Sequence, residues 1–166
     1  MENETKEILI ELKMMLDKLN YPVEKPLEFS FIESITKENH SEKLQPVISS
    51  VCNELYQLCN NQPDYLNFLK TMDGFECNGL ILFSLSIPEP LVKNLFVMND
   101  FYRNNDDFIN PDLMKNLVIG NDSISLFTYN SISNLFEIRD NVATENIFGS
   151  FDNFNDFLRE ILGTVK

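Results

Sequence analysis

Residues 117–140 read LVIGNDSISLFTYNSISNLFEIRD, and the pattern inside this stretch decides the fold class. Leu117 to Ile119 forms a brief strand that ends at GNDS (120–123), residues that favour turns by accepting left-handed backbone or by bonding side chain to backbone. Beyond the turn, Ile124 and Leu126 point one way while Ser125, Phe127 and Tyr129 point the other, which is the two-residue period of a strand. NSISN (130–134) supplies a hairpin loop. LFEIRD (135–140) then returns with Phe136 and Ile138 opposed to Leu135, Glu137 and Arg139. Strands joined by loops this short can only pair antiparallel, so an antiparallel meander is expected.

Working outward, SFDNFNDFLREIL (150–162) reads as a helix, with Asp152 as its cap and Phe154, Phe157, Leu158 and Ile161 as its buried stripe. On the other side, residues 91–105 have helical spacing, with Leu91, Leu95, Met98 and Tyr102 aligned, and NNDDFINPD (104–112) is a polar, proline-marked loop. NGLILFSL (78–85) follows an Asn-Gly turn signal and is short and apolar enough for a buried strand. Two prolines in SIPEP (86–90) stop it, since proline lacks the ladder donor. Earlier still come three helices: 4–20, with Ile8, Leu12, Met15, Leu16 and Leu19 on one side; 44–61, with Val47, Ile48, Val51, Leu55 and Leu58; and a short one in DYLNFLKTM (64–72). Pro63 suits the first turn of that short helix and Gly74 its left-handed end. Residues 26–42 start with alternation at Leu27, Phe29 and Phe31, which predicts an extended segment or edge strand running into a polar loop around His40. Helices, a short strand, a helix, paired strands and a helix make an α+β fold. Its sheet is mainly antiparallel or mixed and packs against N-terminal, middle and C-terminal helices. The length of 166 residues fits a single domain over 1–166.

Charge narrows the partners. Thirteen Lys and Arg face 26 Asp and Glu, a net charge of -13, and such a surface repels phosphate backbones and anionic headgroups. Neither nucleic acid nor a membrane is an expected partner, whereas a basic protein would be drawn in. No apolar run reaches the roughly 18 to 20 residues of a membrane span, and MENETKEILIELK (1–13) lacks the basic-then-apolar layout of a secretory signal. Cys52 and Cys59 lie seven apart on a helix, about 10 Å in rise and too far for a disulfide, and Cys77 stands alone near a turn. Free thiols and a cytoplasmic location are expected.

Residues that could do chemistry are scarce. His40 is the single histidine and sits in the polar KENHSE (37–42), leaving a Ser or Cys nucleophile without its usual base. No GxSxG elbow or glycine-rich phosphate loop occurs among only five glycines. The three cysteines and His40 are too scattered for zinc. NNDDFINPD lacks the Gly and terminal Glu of a calcium loop, so no metal or other cofactor is expected. A binding protein is expected, not an enzyme.

Five stretches, taken in order, resemble the SUKH superfamily of small α+β domains, which includes yeast Smi/Knr-type cell-wall synthesis regulators and many bacterial immunity proteins. YLNFLKTMDGFECNGLILFSL (65–85) is similar to the family's helix, glycine turn and first strand. LFVMNDFYR (95–103) resembles the helix with a central Asn in the YrhA-like branch. LVIGNDSISLFTYN (117–130) and LFEIRD (135–140) resemble its meander, and SFDNFNDFLREIL its closing helix. The likeness spans residues 63–162, whereas residues 1–62 match only in being mostly helical. Family tryptophans are replaced by Phe or Tyr.

The resemblance implies a domain that acts by binding protein. It implies an immunity protein that neutralises a cognate toxin, a nuclease being one class, by stoichiometric contact with a basic toxin domain. The alternative is a cytosolic adaptor or regulatory scaffold that binds host proteins. An enzyme would need a deep pocket with convergent polar groups. Acids on loops around the sheet are the expected interface: Asp73 and Glu76 after the third helix, Asp106 and Asp107, and Asp122 in the turn. Phe75 and Tyr129 are the expected aromatic anchors.

Overall fold

The computed structural model describes residues 2–21, 25–28, 30, 46–86, 93–104, 107 and 109–164. Six strands lie side by side in chain order, each antiparallel to the next: β1 (Phe75–Cys77), β2 (Leu80–Leu82), β3 (Leu117–Asn121), β4 (Ser125–Asn130), β5 (Leu135–Asp140) and β6 (Ile147–Phe151). The expected meander is therefore present and longer than its sequence signal, with one parallel bridge, Ser84 to Asn94, outside the named strands. The β1–β2 turn is Asn78-Gly79, with φ of 51° and 82°. This pair of left-handed residues matches the right-handed twist of a two-residue hairpin.

Among the described residues, six helices cover the sheet: α1 (Glu2–Leu19), α2 (Pro46–Asn61), α3 (Pro63–Leu69), α4 (Leu95–Arg103), α5 (Pro111–Lys115) and α6 (Phe154–Gly163). One face of the sheet presents Phe127, Tyr129 and Phe136 to α3 and α6 through a chain of rings. Phe136 stacks on Phe157 at 5.3 Å and lies 5.6 Å from Phe154, Phe127 meets Phe157 edge-on at 5.7 Å, and Phe68 meets Phe75 at 6.3 Å. Phe is the core filler here, and each buried ring contributes roughly 2 to 3 kcal/mol of burial plus its ring–ring geometry. α1 packs outside this layer, and its buried Thr5 ties three helices together: Thr5 Oγ1 donates to Asp64 Oδ1 (2.8 Å) and accepts from Asn155 Nδ2 (3.1 Å). One continuous apolar cluster runs from Ile8 on α1 to Leu162 on α6.

The opposite face is closed differently. Residues paired across strands share a face, which puts Val118, Thr128 and Glu137 in one row and Leu126 with Arg139 beside it. The side chains there are buried and largely polar. Arg139 Nη2 bonds both Glu137 carboxylate oxygens at 3.2 Å and Nη1 donates to Thr144 O (2.8 Å). Thr144 Oγ1 in turn accepts from Asn110 Nδ2 (2.8 Å) and donates to Asp112 Oδ2 (3.0 Å). The 141–146 loop and the start of α5 are thereby fastened over the sheet.

Several expectations need correction. The C-terminal helix starts at Phe154, not Ser150, because Asn153, not Asp152, is its cap and accepts from Asp156 N (2.9 Å), while Ser150 and Phe151 belong to β6. Gly74 is left-handed at φ 88° but does not end α3, whose cap is Lys70. A side chain at Gly74 would sit 2.6 Å from Leu82 O, so a close approach to β2 selects glycine. Ile124 stays in the turn at 65% exposure instead of sharing a face with Leu126, since Asp122 Oδ1 accepts from both Ile124 N and Ser125 N and lengthens the turn. Residues 25–28 form no strand. Phe29, Phe31, His40 and Leu91, and the side chains of Val47 and Ile48, lie outside the described residues. No described helix is long and apolar enough to cross a membrane.

Candidate functional site

The seven residues expected at an interface are not gathered in one place. Asp73 is 1% exposed: its carboxylate accepts from Ser84 Oγ (2.6 Å), Leu85 N (2.8 Å) and Ser86 N (2.9 Å), fixing the chain as it leaves β2. Phe75 has no exposed surface and belongs to the core. Tyr129 is equally buried, its hydroxyl donating to Asn134 Oδ1 (2.8 Å) and its ring 5.2 Å from Phe136. These three are therefore not surface contacts. A turn-like sequence says nothing about what later packs over it. Glu76 is half-buried on β1, on the sheet face that carries Ile81 and Leu126. Asp107 is exposed, Asp106 lies outside the described residues, and Asp122 is half-buried at the β3–β4 turn.

Of these, Asp122 stands at a recognisable surface feature. Between that turn, the outer strands and the C-terminal end of α6 runs an open groove of about 380 Å³. Ile124, Ile138, Phe148 and Ile161 form its apolar walls, and Asp122 and Glu160 are the charged residues on its rim. Phe148 and Ile124 are 57% and 65% exposed, so its lips are apolar and wet. The last turn of a helix carries partial negative charge on its free carbonyls, which adds to the two acids. Between Asn116 and Thr164 the chain has only two basic residues, and both are engaged: Arg139 with Glu137 inside, and Arg159 with Glu4 across to α1. The charged residues that line the groove are therefore both acidic.

Sequence reasoning missed the groove because Phe148 and Glu160 lie some distance along the chain from Asp122 and carry no shared motif. It could have noted that residues 116–164 hold only two basic residues.

The thiols offer no nucleophile. Cys52, Cys59 and Cys77 are free and buried, and burial pushes all three thiols up, that of Cys59 to about 12. Burial likewise raises the Tyr129 phenol, partly offset by the hydrogen bond from Asn61. No group of His, Cys, Asp and Glu fit to hold a metal occurs among the described residues.

The Cys59 shift has a consequence for stability. An unfolded thiol ionises near 9 while the folded one stays protonated to about 12, so the folded chain holds the extra proton in between. Stability from this group is intact below pH 9 and falls as pH rises, by roughly 2 kcal/mol at pH 10.5. The urea midpoint should be lower at pH 10.5 than at pH 8, and Cys59→Val should lessen the difference while the raised Cys52, Cys77 and Tyr129 keep the rest.

The chain is 59% identical over 125 residues to YrhA, an uncharacterized protein of Escherichia coli (strain K12), an alignment covering 75% of this chain and 91% of YrhA. No family model matches the chain. No solved structure matches it. At that identity and coverage, the chain belongs to the YrhA family.

Proposed function

We propose that this protein is a SUKH-type binding domain that acts in the cytoplasm as an immunity protein, neutralising a basic toxin domain by covering its working surface. The observation that supports it is the groove beside α6, with apolar walls for an anchor side chain and two acids, Asp122 and Glu160, as its charged lining. A nuclease fits this best, because a cleft that binds nucleic acid must itself be basic. Neutralisation of this kind is stoichiometric, needing complementary shape and charge and no reacting group. A net charge of -13 accelerates encounter, which matters when the inhibitor competes with nucleic acid for the same cleft.

Co-expression with any toxin domain encoded beside its gene tests the reading, and a gene neighbourhood without one counts against it. The protein should restore growth and co-purify with the toxin at equal stoichiometry. Glu160→Lys, on the exposed side of α6, should slow association about tenfold at low salt, with the difference fading as salt is raised. Folded protein that neither rescues growth nor forms a complex would sink the proposal. So would rescue by far less than an equimolar amount. Capture of host proteins with the toxin left active would replace it with the adaptor reading.

A further inference from the structure

The two edges of the sheet are built differently. β1 has three residues, with Phe75 and Cys77 fully buried, and the 25–28 segment is tied down just before it by Asp73 N to Lys25 O (3.2 Å) and Leu27 N to Leu69 O (3.1 Å). β6 has five residues, pairs only with β5, and has no described strand on its other side. An open edge presents a row of unpaired N–H and C=O groups, and proteins usually guard such edges with lysine, proline or a covering segment. β6 reads IFGSF and carries none of these side chains. Ile147 and Phe148 are 46% and 57% exposed, an unusual use of large apolar residues at a sheet margin. Phe148 is also the extra residue of a bulge, between the pairs Ile138–Gly149 and Arg139–Ile147, and bulges re-aim side chains beside binding sites. Its ring forms one lip of the groove.

Charge indicates what the edge takes. Exposed Glu145 and Asp152 stand just beyond its two ends, and Glu160 faces Phe148 across the groove. A second copy of the chain would bring a further -13 to this margin and be repelled.

We infer that the outer edge of β6 receives an extended segment of a basic partner protein, which adds as a seventh strand with apolar side chains against Ile147 and Phe148 and with Lys or Arg at its ends near Glu145 and Asp152. Main-chain hydrogen bonds hold such a strand, and alternate side chains select it. This rests on the proposed function and names where the partner docks and in what conformation.

The probe is a peptide of about nine residues, with alternating valine and threonine between terminal lysines, a length that spans the two acids in extended form. Added to the full chain, it should slow hydrogen exchange of amides in residues 147–151 at least tenfold and leave those of β1 unchanged. A peptide with glutamates in place of the lysines should bind at least tenfold weaker. Phe148→Lys, at an exposed position, should weaken binding at least tenfold without moving the thermal midpoint. Ser150→Pro, at an exposed position of β6 whose N–H points away from β5, should agree with it. Absence of protection at β6, protection elsewhere, equal binding of the acidic peptide, or unchanged binding by Phe148→Lys would each overturn the inference. A concentration-dependent dimer protecting 147–151 would also overturn it, in favour of a second copy. If Phe148→Lys loses the peptide but still neutralises the toxin in co-expression, the edge assignment falls and the immunity function stands. Peptide binding at β6 by a wild-type protein that rescues no growth leaves the edge assignment standing and removes the function.

Discussion

Replacing Asn99 by leucine will lower the unfolding free energy by about 4 kcal/mol, although the two side chains are close in size. Asn99 is fully buried on α4, where an interior amide needs a reason. β2 pairs with β3 only at Gly120 and Asn121, so the first half of β3 has no strand beside it on that edge. The Asn99 side chain takes the place of the missing neighbour: Val118 N donates to Oδ1 (3.0 Å) and Nδ2 donates to Val118 O (2.8 Å), with a further bond to Leu95 O (2.8 Å). The amide thus reproduces one rung of a β-ladder from a helix. Leucine would leave an N–H and a C=O in the interior unpaired, at roughly 1 to 3 kcal/mol each, a large share of what a domain of this size has. Asn99→Asp should cost at least as much, since a carboxylate would oppose Val118 O. Asp100→Ala, on the exposed side of the next residue, should change stability by less than about 0.5 kcal/mol. Urea titration of the three variants checks this. A loss below about 1 kcal/mol for Asn99→Leu would show that the rung is dispensable.

A second large loss is expected at Arg103. Its guanidinium, with a side chain only 2% exposed, contacts Glu54 of α2 at 2.5 Å and donates to the carbonyls of Leu113 (3.2 Å) and Asn116 (3.0 Å). One side chain therefore joins α2, α4 and the end of α5. Arg103→Met should cost about 3 to 5 kcal/mol, because Glu54 would keep a mostly buried charge without its counter-ion and two carbonyls would lose their donors. Removing both charges in Glu54→Met with Arg103→Met should recover at least about 1 kcal/mol relative to the sum of the single changes. Thermal and urea unfolding of the four proteins in that cycle provide the measurement. Strict additivity would mean that the pair is not coupled.

These two sites show where sequence reading stops. Helical periodicity on α4 marked Leu95, Met98 and Tyr102, yet the residues most deeply buried are Leu95, Asn99 and Arg103, one face at four-residue spacing. Hydrophobic patterning scores polar residues as solvent-facing and so cannot place a buried amide or guanidinium. The likeness to a helix with a central Asn did point at Asn99, without its role. β1 was overlooked because three residues are too few to show a period, and β6 because its bulge breaks the alternation and its apolar residues face water. The acids failed as a group for a related reason. Asp73 and Asp122 are both turn aspartates by sequence, but one is sealed beneath Ser84–Ser86 and the other stays at a groove.

Local chemistry was sufficient for the elements whose signals are short-range. The meander over 117–140, the Asn78-Gly79 hairpin, the stripe of α6 and the start of α3 at Pro63 follow from side-chain period, left-handed turn residues and the fixed φ of proline. Composition likewise set the sign of the surface, since a net charge of -13 survives any fold. Only the tertiary structure decided which polar groups are interior, which edge of the sheet is open and which acids border an apolar groove. Burial is a property of what packs against a residue, and those neighbours come from positions tens of residues away whose meeting no local pattern encodes.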